Sequence, residues 1–370
     1  MLRTLLKNTD LIILIAVIGL VIIGIIGIYS AGYNDEDLKS DYFKQFVWLI
    51  ISLVALALVW LIDYNVFGVL SGPMYLVCLG LLVGVLWTEP IYGATSWFQL
   101  GSVSIQPSEI TKIIYILLSA KFMDFVLSKD KKAINRWYII LVVLGLMLMP
   151  VLLILMQPDF GTAAVFLFIT IFMLFKAGIN YKYILAGILI FIILVPAVYF
   201  LVLNDVQKER ILVFLDPELD PLGSGYNAIQ SKIAVGAGQL FGTGLLKGTQ
   251  TQFGYLPVKT SDFIFSVISE EMGFIISVLL VIIYTVLLLR IVNVSKTAKD
   301  IYGSLVTMGV FGMLFFHFIE NIGMTMGLLP ITGIPLPFVS YGGSNLLTNF
   351  IAIGIVLSIS ARRQRTFFVD

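Results

Sequence analysis

Apolar runs and short polar segments alternate along nearly the whole chain. Ten of these runs approach the ~20 residues that a helix needs to cross a bilayer. They lie at 11–30, 46–62, 66–88, 109–127, 137–156, 161–176, 183–203, 263–290, 301–328 and 345–361. The pattern predicts an all-α polytopic membrane protein with ten transmembrane helices, built as a single integral membrane domain over 1–370.

Lysine and arginine are distributed unevenly between the predicted loops. If the N-terminus lies inside, the inner segments hold 14 of the 23 lysines and arginines and the outer segments hold 7, while Lys112 and Lys121 lie within a span. Because inner loops of membrane proteins are enriched in positive charge, this distribution favours two cytoplasmic termini. An odd number of spans would instead place the basic tail ARRQR outside.

The composition agrees with a membrane protein and argues against several other classes. Hydrophobic residues make up 59% of the chain and charged residues only 12%, whereas a soluble domain carries about 25% charged residues. The net charge of +1, with no basic face, argues against a nucleic-acid partner. Cys78 is the only cysteine and His317 the only histidine, which excludes a disulfide framework and argues against a zinc site of His and Cys ligands.

One predicted outer loop, about 204–262 between spans seven and eight, is too long and too rich in Gly and Pro to be a simple connection. Inside it, the stretch YNAIQSKIAVGAG carries apolar residues at Ile229, Ile233 and Val235 with polar residues between them. This spacing indicates a helix at the membrane surface. A loop segment that packs against the helix bundle is an equally good interpretation.

Three carboxylates stand at the start of the eighth predicted span. Asp262 heads the span, and in a continuous helix Glu270 and Glu271 follow about 12 Å deeper, at 1.5 Å per residue. Asp262, Ser266 and Glu270 share one helix face, which indicates a polar stripe that runs inward from the outer surface. Capping of the helix by Ser261 or Asp262 is the simpler interpretation of the aspartate alone, but a cap needs no stripe.

Charged residues also lie at the predicted outer ends of other spans. Glu109 and Lys112 are one turn apart in the fourth span and can pair. In one interpretation, Glu109 is an acid at a helix start and Lys112 extends its ammonium outward to the membrane surface. In the other, Lys112 is a positive group held in the same cavity as Asp262. Asp159 occupies a tight turn in MQPDFGTA and is either a turn residue or a part of that cavity.

Two further segments carry polar residues at membrane depth. HFIENIGM in the ninth span contains His317, Glu320 and Asn321, and a packed polar cluster is the preferred interpretation. PLPFVSYGGSN leads into the tenth span through Gly343 and Ser344 and is either a helix N-terminus that binds an anion or a plain capped turn. An outward-facing cavity with charges of both signs suits a phosphorylated lipid with a polar head. These residues leave open whether the protein moves such a lipid or modifies it.

Four long motifs resemble the SEDS family (shape, elongation, division and sporulation). They are GLLPITGIPLPFVSYGGSN, YNAIQSKIAVGAGQLFGTGLLKGTQ, LPVKTSDFIFSVISEEMG and QPDFGTA, and the resemblance covers nearly the whole chain. The first is more similar to the rod-shape-determining branch than to the division branch. The resemblance implies a ten-helix peptidoglycan glycosyltransferase of the bacterial inner membrane. Such a protein polymerises lipid II and works with a class B penicillin-binding protein, the transpeptidase.

The resemblance also assigns residues. Asp262 matches the family's essential aspartate, in a motif that reads Ser261-Asp262-Phe263 where threonine or asparagine is common before the aspartate. The family usually has LPE upstream, where this chain has Pro257-Val258-Lys259. The other matched positions are substrate-binding candidates: Trp97, Glu109, Lys112, Asp159 and Arg210.

These assignments give a specific hypothesis for the chemistry. Asp262 either takes the proton from the 4-hydroxyl of the acceptor lipid II or holds a divalent cation, Mg²⁺ or Mn²⁺, that does part of this work. Attack on the donor's anomeric carbon inverts its configuration and expels a lipid pyrophosphate. The expected pyrophosphate contacts are Lys112, Arg210, Gly343 and Ser344, and the residues expected to organise the cavity floor are Glu270 and Glu271. The alternatives are a lipid II flippase or other lipid transporter, and a non-catalytic scaffold that activates the penicillin-binding protein.

Overall fold

The computed structural model of the chain describes residues 5, 8–89, 95–101, 103–187, 189, 192, 208, 212–221, 223 and 225–363. The longer helices are α1 (Leu11–Ala31), α2 (Asp41–Leu61), α3 (Tyr64–Gly84), α4 (Pro107–Lys129), α5 (Trp137–Leu155), α6 (Phe160–Ala177), α7 (Tyr226–Ala237), α9 (Ile264–Thr297), α10 (Ile301–Thr325) and α11 (Gly343–Ala361). A single-turn helix, α8 (Thr249–Gln252), lies between α7 and α9. Short 3₁₀ helices occur at Val85–Trp87, Ala133–Asn135 and Pro217–Leu219.

The prediction of an all-α membrane protein is confirmed. Within the described residues, eight helices are long and apolar enough to cross a membrane, namely α1, α2, α3 with its 3₁₀ extension, α5, α6, α9, α10 and α11. The predicted fourth span corresponds to α4, which is 23 residues long but carries Glu109 and Lys112 in its first two turns. The predicted seventh span, 183–203, lies largely outside the described residues, so the count of ten stays a prediction, as do the bounds of the 204–262 loop.

The only sheet among the described residues is a hairpin of β1 (Phe98–Leu100) and β2 (Val103–Ile105), paired antiparallel. Gly101 forms its turn with a φ of 65°, a conformation that glycine adopts without steric cost. The hairpin leads directly into α4. Pro107 is the first residue of this helix, a position at which proline is favoured.

Helices α10 and α11 lie at the centre of the bundle and are mostly buried, whereas α2 and α3 expose most of their surface. Exposed leucine, isoleucine and valine side chains on the peripheral helices are expected where lipid, rather than water, is the solvent. Six polar side chains of α4, α10 and α11 are buried against protein, as the cost of polar groups in a bilayer requires: Glu109, Lys112, His317, Glu320, Asn345 and Asn349.

The stretch YNAIQSKIAVGAG, for which a surface helix and a packed loop were both open, contains the helix α7, and this helix packs against the bundle. Its Ser231 and Ala234 side chains are buried. The Ser231 hydroxyl lies 2.7 Å from both the Ser266 hydroxyl of α9 and the Thr325 carbonyl oxygen of α10. These bonds fix α7 at one end of the bundle. We call this end the loop end, because it carries the segment 226–262.

Helix α9 is two helices joined at a sharp reversal. Gly273 has a φ of 77° and a ψ of −176°, which is not helical. The hydroxyls of Ser269 and Ser277 lie 3.0 Å apart, although eight residues of continuous helix would separate them by about 12 Å. The chain therefore runs toward the loop end through 264–272, turns at Gly273, and then crosses the bundle through 274–297.

Contacts with α1 show the direction of the first half. At the loop end of α1, the Ser30 hydroxyl donates to the Glu271 carboxylate. Farther from that end, Gly27 faces Ile264 and Ile268. Residues 264–272 therefore form a re-entrant helix, whose first residue is the deepest. The polar stripe was expected to run inward from Asp262 to Glu270, and this direction is wrong. Asp262 lies at the deep end of the re-entrant helix, and Glu270 and Glu271 lie at the loop end.

The second half of α9 returns along the same helix. Ile283 faces Gly19 in the middle of α1. The Arg290 guanidinium donates to the Asp10 carboxylate at 2.6 Å, just before α1 begins. Residues 274–297 make up 24 positions, or about 36 Å of helix, which is enough to span a bilayer alone.

The segment 239–244 completes the backbone hydrogen bonding at the reversal. The amides of Phe274 and Ile275 donate to the carbonyl oxygens of Gln239 and Leu240 at 2.8 and 3.3 Å. The amides of Thr243 and Gly244 donate in turn to the carbonyl oxygens of Glu270 and Glu271 at 2.9 and 3.1 Å. A helix end without such partners would leave unsatisfied polar groups at membrane depth.

Candidate active site

Asp262 lies in a turn immediately before the re-entrant helix and is not its cap. The N-cap position is Phe263, and no side chain caps this helix. The Ser261 hydroxyl donates to the Asp262 Oδ1 at 2.9 Å, and the residue as a whole is partly exposed. The capping interpretation of Asp262 is therefore wrong, and the carboxylate is left available for chemistry.

A single amide holds the backbone of Asp262. The Asn321 Nδ2 donates to the carbonyl oxygens of both Asp262 and Ile334 at 2.9 Å each. The neighbouring Gly333 has a φ of 71°, and a Cβ at this position would lie 3.3 Å from the Asp262 Oδ2. The turn at 332–334 thus forms one wall beside the carboxylate, and Asn321 fixes both parts to α10.

The turn that carries Asp262 is also tied to the segment before α11. The Ser340 hydroxyl donates to the Ser261 carbonyl oxygen at 2.6 Å, and the Tyr341 amide donates to the Thr260 carbonyl oxygen at 2.8 Å. Val258, which replaces an acid of the family pattern, has a φ of 46°. A β-branched residue rarely adopts this conformation, so the turn holds local strain.

The surroundings of Asp262 weaken its acidity. Burial raises the pKa of this carboxyl to about 6, the Ser261 hydroxyl opposes the rise, and the negative charge of Asp159 adds to it. A carboxyl with a pKa near 6 is ionised at neutral pH and is a stronger base than an ordinary aspartate. These properties are those of a general base.

Asp159 is the N-cap of α6. Its Oδ1 accepts from the Thr162 amide at 2.9 Å, and its Oδ2 accepts from the Gln106 Nε2 at 3.1 Å. Burial raises the pKa of the Asp159 carboxyl, although the Thr162 amide and the charge of Lys112 oppose the rise. The structural interpretation of this turn aspartate is therefore correct, and its charge also acts on Asp262.

Glu109 and Lys112 pair inside the bundle rather than in an open cavity. The Lys112 ammonium lies 2.9 Å from the Glu109 Oε1 and 3.0 Å from the His317 Nε2. The Asn345 Nδ2 donates to the Glu109 Oε2 at 3.3 Å. Lys112 is 1% exposed and Glu109 is 3% exposed, so a substrate reaches them only if α4 separates from α10 or α11.

Glu270 and Glu271 bind the loop instead of lining the floor of a cavity. The Glu270 carboxylate accepts from the amides of Gln250 and Thr251 at 2.8 and 3.0 Å and from the Thr251 hydroxyl at 2.7 Å. The Glu271 carboxylate accepts from the Leu246 amide at 3.2 Å and the Gln252 Nε2 at 2.7 Å. Both carboxylates anchor the segment 246–252 to the re-entrant helix.

The turn before α11 is tightly packed. Gly343 lies against the indole of Trp48, and a side chain there would overlap the ring. The Gly342 amide donates to the Gln45 Oε1 at 3.2 Å, and Ser344 is partly exposed in the first helical turn. The first-turn amides have no partner in their own helix, so an anion can bind there. Trp97 is partly exposed just before β1, and Arg210 lies outside the described residues.

A divalent cation at Asp262 would need ligands from the substrate. No group of three or more His, Cys, Asp or Glu side chains in the described part of the chain is placed to hold a metal ion. Mg²⁺ is commonly held by one or two carboxylates together with substrate phosphates. Asp262, with the charge of Asp159 nearby, fits that pattern and does not fit a closed protein cage.

Several residues that organise this site did not stand out in the sequence. Gln106 binds Asp159, Gln45 binds the turn before α11, and Asn345 binds Glu109. Asn345 and Asn349 are one turn apart in an apolar helix, and the Asn349 Nδ2 donates to the Asn345 carbonyl oxygen at 2.8 Å. A pair of amides at this spacing in a membrane span was an available signal, because such groups are expected to face protein.

Comparisons with known proteins agree with the motifs. A family profile for the cell cycle proteins FtsW, RodA and SpoVE matches residues 8–365. The chain is 34% identical to the peptidoglycan glycosyltransferase RodA of Treponema pallidum (strain Nichols), over 96% of this chain and 98% of that protein.

Another relative and a solved structure agree with this match. The chain is 36% identical to the peptidoglycan glycosyltransferase MrdB of Escherichia coli (strain K12), over 96% of this chain and 95% of that protein. A solved chain of a peptidoglycan synthase complex, which coordinates polymerization and crosslinking, superposes with a TM-score of 0.82 at 32% identity, over 96% of this chain and 99% of that chain. The resemblance seen in the sequence is confirmed, and the chain belongs to the FtsW/RodA/SpoVE family of cell cycle proteins.

Proposed function

We propose that this chain is a peptidoglycan glycosyltransferase that polymerises lipid II into glycan strands on the outer face of the bacterial cytoplasmic membrane during cell elongation. The observation that carries the proposal is the position of Asp262, a partly exposed residue that does not cap the re-entrant helix and whose backbone Asn321 holds at the deep end of that helix. The names of the relatives from Treponema pallidum and Escherichia coli support the same activity.

In this mechanism Asp262 acts on the acceptor. Its carboxylate removes the proton from the 4-hydroxyl as that oxygen attacks the anomeric carbon of the donor. A new glycosidic C–O bond forms with inversion, the bond to the pyrophosphate oxygen breaks, and the lipid pyrophosphate leaves with the electron pair. Asp262 then releases the proton to water. Alternatively, Asp262 with substrate phosphates holds Mg²⁺ or Mn²⁺, which would stabilise the developing negative charge.

The leaving pyrophosphate needs positive partners. The candidates are Lys112, Arg210 and the first-turn amides of α11 at Gly343 and Ser344. Lys112 is buried in this structure, so it contacts the substrate only after the bundle opens near α4. Trp97, Glu109 and Asp159 are further candidates for lining the substrate path. Glu270 and Glu271 support the site indirectly, because they hold the loop segment 246–252 on the re-entrant helix.

The proposal includes a partner and a location. The chain is a multi-pass protein of the cytoplasmic membrane with both termini in the cytoplasm, and it works with a class B penicillin-binding protein that supplies the transpeptidase. The similar solved chain from a peptidoglycan synthase complex supports such a partner. We expect the partner to contact the loop end, because exposed aromatic side chains there, Phe241, Phe253 and Tyr255, offer a surface.

The test is glycan polymerisation by the purified chain, with lipid II as the only substrate, alone and with its class B penicillin-binding protein. Wild type should form strands and Asp262→Asn should form none. Asp63→Asn is the matched control, because Asp63 caps α3 through the Asn65 amide and asparagine also caps. Strand formation by Asp262→Asn would exclude the base role. Lipid II transfer across vesicles without polymerisation would favour the flippase, and no activity except stimulation of the partner would favour the scaffold.

A further inference from the structure

Lys112 is held by two acceptors on two different helices. Glu109 lies one turn away on the same helix, and the Glu109 Oε1 accepts from the ammonium at 2.9 Å. His317 belongs to α10, and its Nε2 lies 3.0 Å from the same ammonium. Without His317, the flexible lysine would be directed only toward its own helix. The imidazole therefore sets the direction of the ammonium between α4 and α10.

This contact fixes the protonation of His317. Since a lysine ammonium only donates hydrogen bonds, the Nε2 must accept, and the imidazole is neutral with its proton on Nδ1. Among the described residues, Nδ1 has no hydrogen-bond partner. The only polar contact of the ring in this part of the chain is thus Lys112, so the ring does not brace any other polar group described.

The buried ring of His317 is satisfied at only one of its two nitrogens within the described residues. His317 is 2% exposed, and burying an imidazole with one unpaired nitrogen is unfavourable. Within the described residues, the one polar interaction that the ring makes in return is its contact with Lys112.

Helix α10 connects the ammonium to the candidate base. His317 and Asn321 are four residues apart and share one face, and Asn321 holds the Asp262 carbonyl oxygen. One rigid helical turn, about 6 Å long, therefore separates the contact to Lys112 from the contact to Asp262. On the opposite side, Asn345 of α11 holds the other oxygen of Glu109 at 3.3 Å. Helix α10 thus holds the Lys112 ammonium and the turn that carries Asp262 at a fixed distance from each other.

We propose that His317 is a positioning residue for the transfer reaction: its neutral Nε2 holds the Lys112 ammonium so that the third N–H is free to donate to the leaving pyrophosphate. This inference rests on the proposed function. Lys112 is closed off in this structure, and an opening between α4 and α11 would expose it while the contact between Lys112 and His317 is kept. The contribution is expected in the transition state, where charge builds up on the leaving group, more than in substrate binding.

Two amide substitutions separate this role from a structural one. In His317→Gln the amide oxygen reaches the position of Nε2, whereas in His317→Asn the shorter amide reaches only the position of Nδ1. Both variants bury one amide, so their costs to folding are similar. We expect kcat for polymerisation to stay within about threefold of wild type in His317→Gln and to fall about 10–100-fold in His317→Asn, as for loss of a hydrogen bond to a charged group. The KM for lipid II should change much less than kcat.

The measurement is steady-state polymerisation of lipid II, corrected for folded protein by size-exclusion and thermal unfolding. If His317→Asn does not fold, His317→Ser tests the same point, since its short side chain also cannot reach Lys112. Equal kcat for the glutamine and asparagine variants, or losses that only follow the folded fraction, would overturn the positioning role. Failure of wild type to polymerise would overturn the proposed function instead.

Discussion

The hydroxyls of Ser269 and Ser277 lie 3.0 Å apart, although eight residues separate them in what hydropathy marks as one membrane span. This contact is possible only because the chain reverses at Gly273. The reversal turns residues 264–272 into a re-entrant helix with Asp262 at its deep end, and it leaves 274–297 to cross the membrane. The position of the candidate base therefore depends on one glycine.

Gly273→Ala should destabilise the protein strongly. A φ of 77° with a ψ of −176° is accessible essentially only to glycine, at a cost of about 1–3 kcal/mol for other residues. A Cβ would also overlap the backbone of Gly242 and lie 2.7 Å from the Leu240 carbonyl oxygen. Thermal unfolding in detergent should show a lower midpoint, together with loss of polymerisation.

Gly145→Ala is the control for this prediction. Gly145 lies in α5, and a Cβ there meets no atom within 4 Å. Alanine favours a helix more than glycine does, by roughly 0.5–1 kcal/mol. The control should melt at the same temperature as wild type or a higher one. If both alanine variants melt together, the reversal does not depend on glycine at 273.

Glu270→Gln should loosen the loop without moving Asp262 directly. Both oxygens of the Glu270 carboxylate accept hydrogen bonds from 249–251, so an amide NH₂ would face donors. An unsatisfied contact of this kind costs roughly 1–3 kcal/mol. Hydrogen exchange should therefore speed up in 246–252. Residues 274–297 should keep their protection and serve as the internal control. If wild type and Glu270→Gln exchange equally fast in 246–252, the Glu270 carboxylate does not anchor this segment.

The membrane-spanning architecture could be predicted from the sequence because lipid imposes one rule on every span. Long apolar runs identified α1, α3, α5 and α10 with nearly correct bounds, since a spanning helix needs about 20 apolar residues. Glu320 and Asn321 in the ninth run were correctly expected to pack inside the protein, because a polar side chain at membrane depth must face protein.

The depth of each polar group could not be predicted in the same way. Composition does not record chain direction. Residues 264–272 are more polar than the residues after Gly273, but they still contain enough apolar residues to be interpreted as the start of the same span. The depth expected for Glu270 was wrong for this reason: the continuous-helix assumption failed at a glycine that resembles many others. The pairing of Lys112 with His317 was also not predictable, because the two residues lie on different helices and are 205 positions apart in the sequence.

Lys112→Met should destabilise the protein more than a surface lysine substitution. It leaves the buried Glu109 carboxylate without its countercharge, which typically costs about 3–5 kcal/mol. The double variant Glu109→Gln/Lys112→Met removes both charges and should recover most of the thermal stability. Polymerisation by the double variant should stay low if the ammonium serves the reaction. A double variant with wild-type stability and wild-type activity would show that the pair is only structural.

Asp262→Asn should melt at the same temperature as wild type or a higher one at pH 7.5. The pKa of Asp262 is raised to about 6, mainly by burial. The fold therefore favours the protonated form, and stability falls as the pH rises from about 4, the ordinary pKa of an aspartate, to about 6. The asparagine side chain avoids that cost. The advantage of Asp262→Asn should shrink as the pH falls from about 6 toward 4, where the aspartate is protonated in both states. An advantage that grows at low pH would contradict the raised pKa.

Asp159→Asn should move the acid limb of the pH–rate profile for polymerisation to lower pH. The negative charge of Asp159 is one cause of the raised pKa of Asp262, so its removal lowers that pKa and keeps the base ionised in more acidic solution. The asparagine Oδ1 still accepts from the Thr162 amide, and Gln106 can turn its amide to donate or accept, so α6 keeps its cap.

The measurement is the rate of lipid II polymerisation between about pH 4.5 and 8, with Asp63→Asn as the control for loss of a capping carboxylate elsewhere. Each profile is repeated at two Mg²⁺ concentrations. If Asp262 is the base, the limb moves with Asp159→Asn and is unaffected by Mg²⁺. If Asp262 instead holds the cation, protons and Mg²⁺ compete for the carboxylate, and more Mg²⁺ moves the limb to lower pH in wild type as well. A limb that stays in place under both changes would mean that the ionisation of Asp262 does not control the reaction.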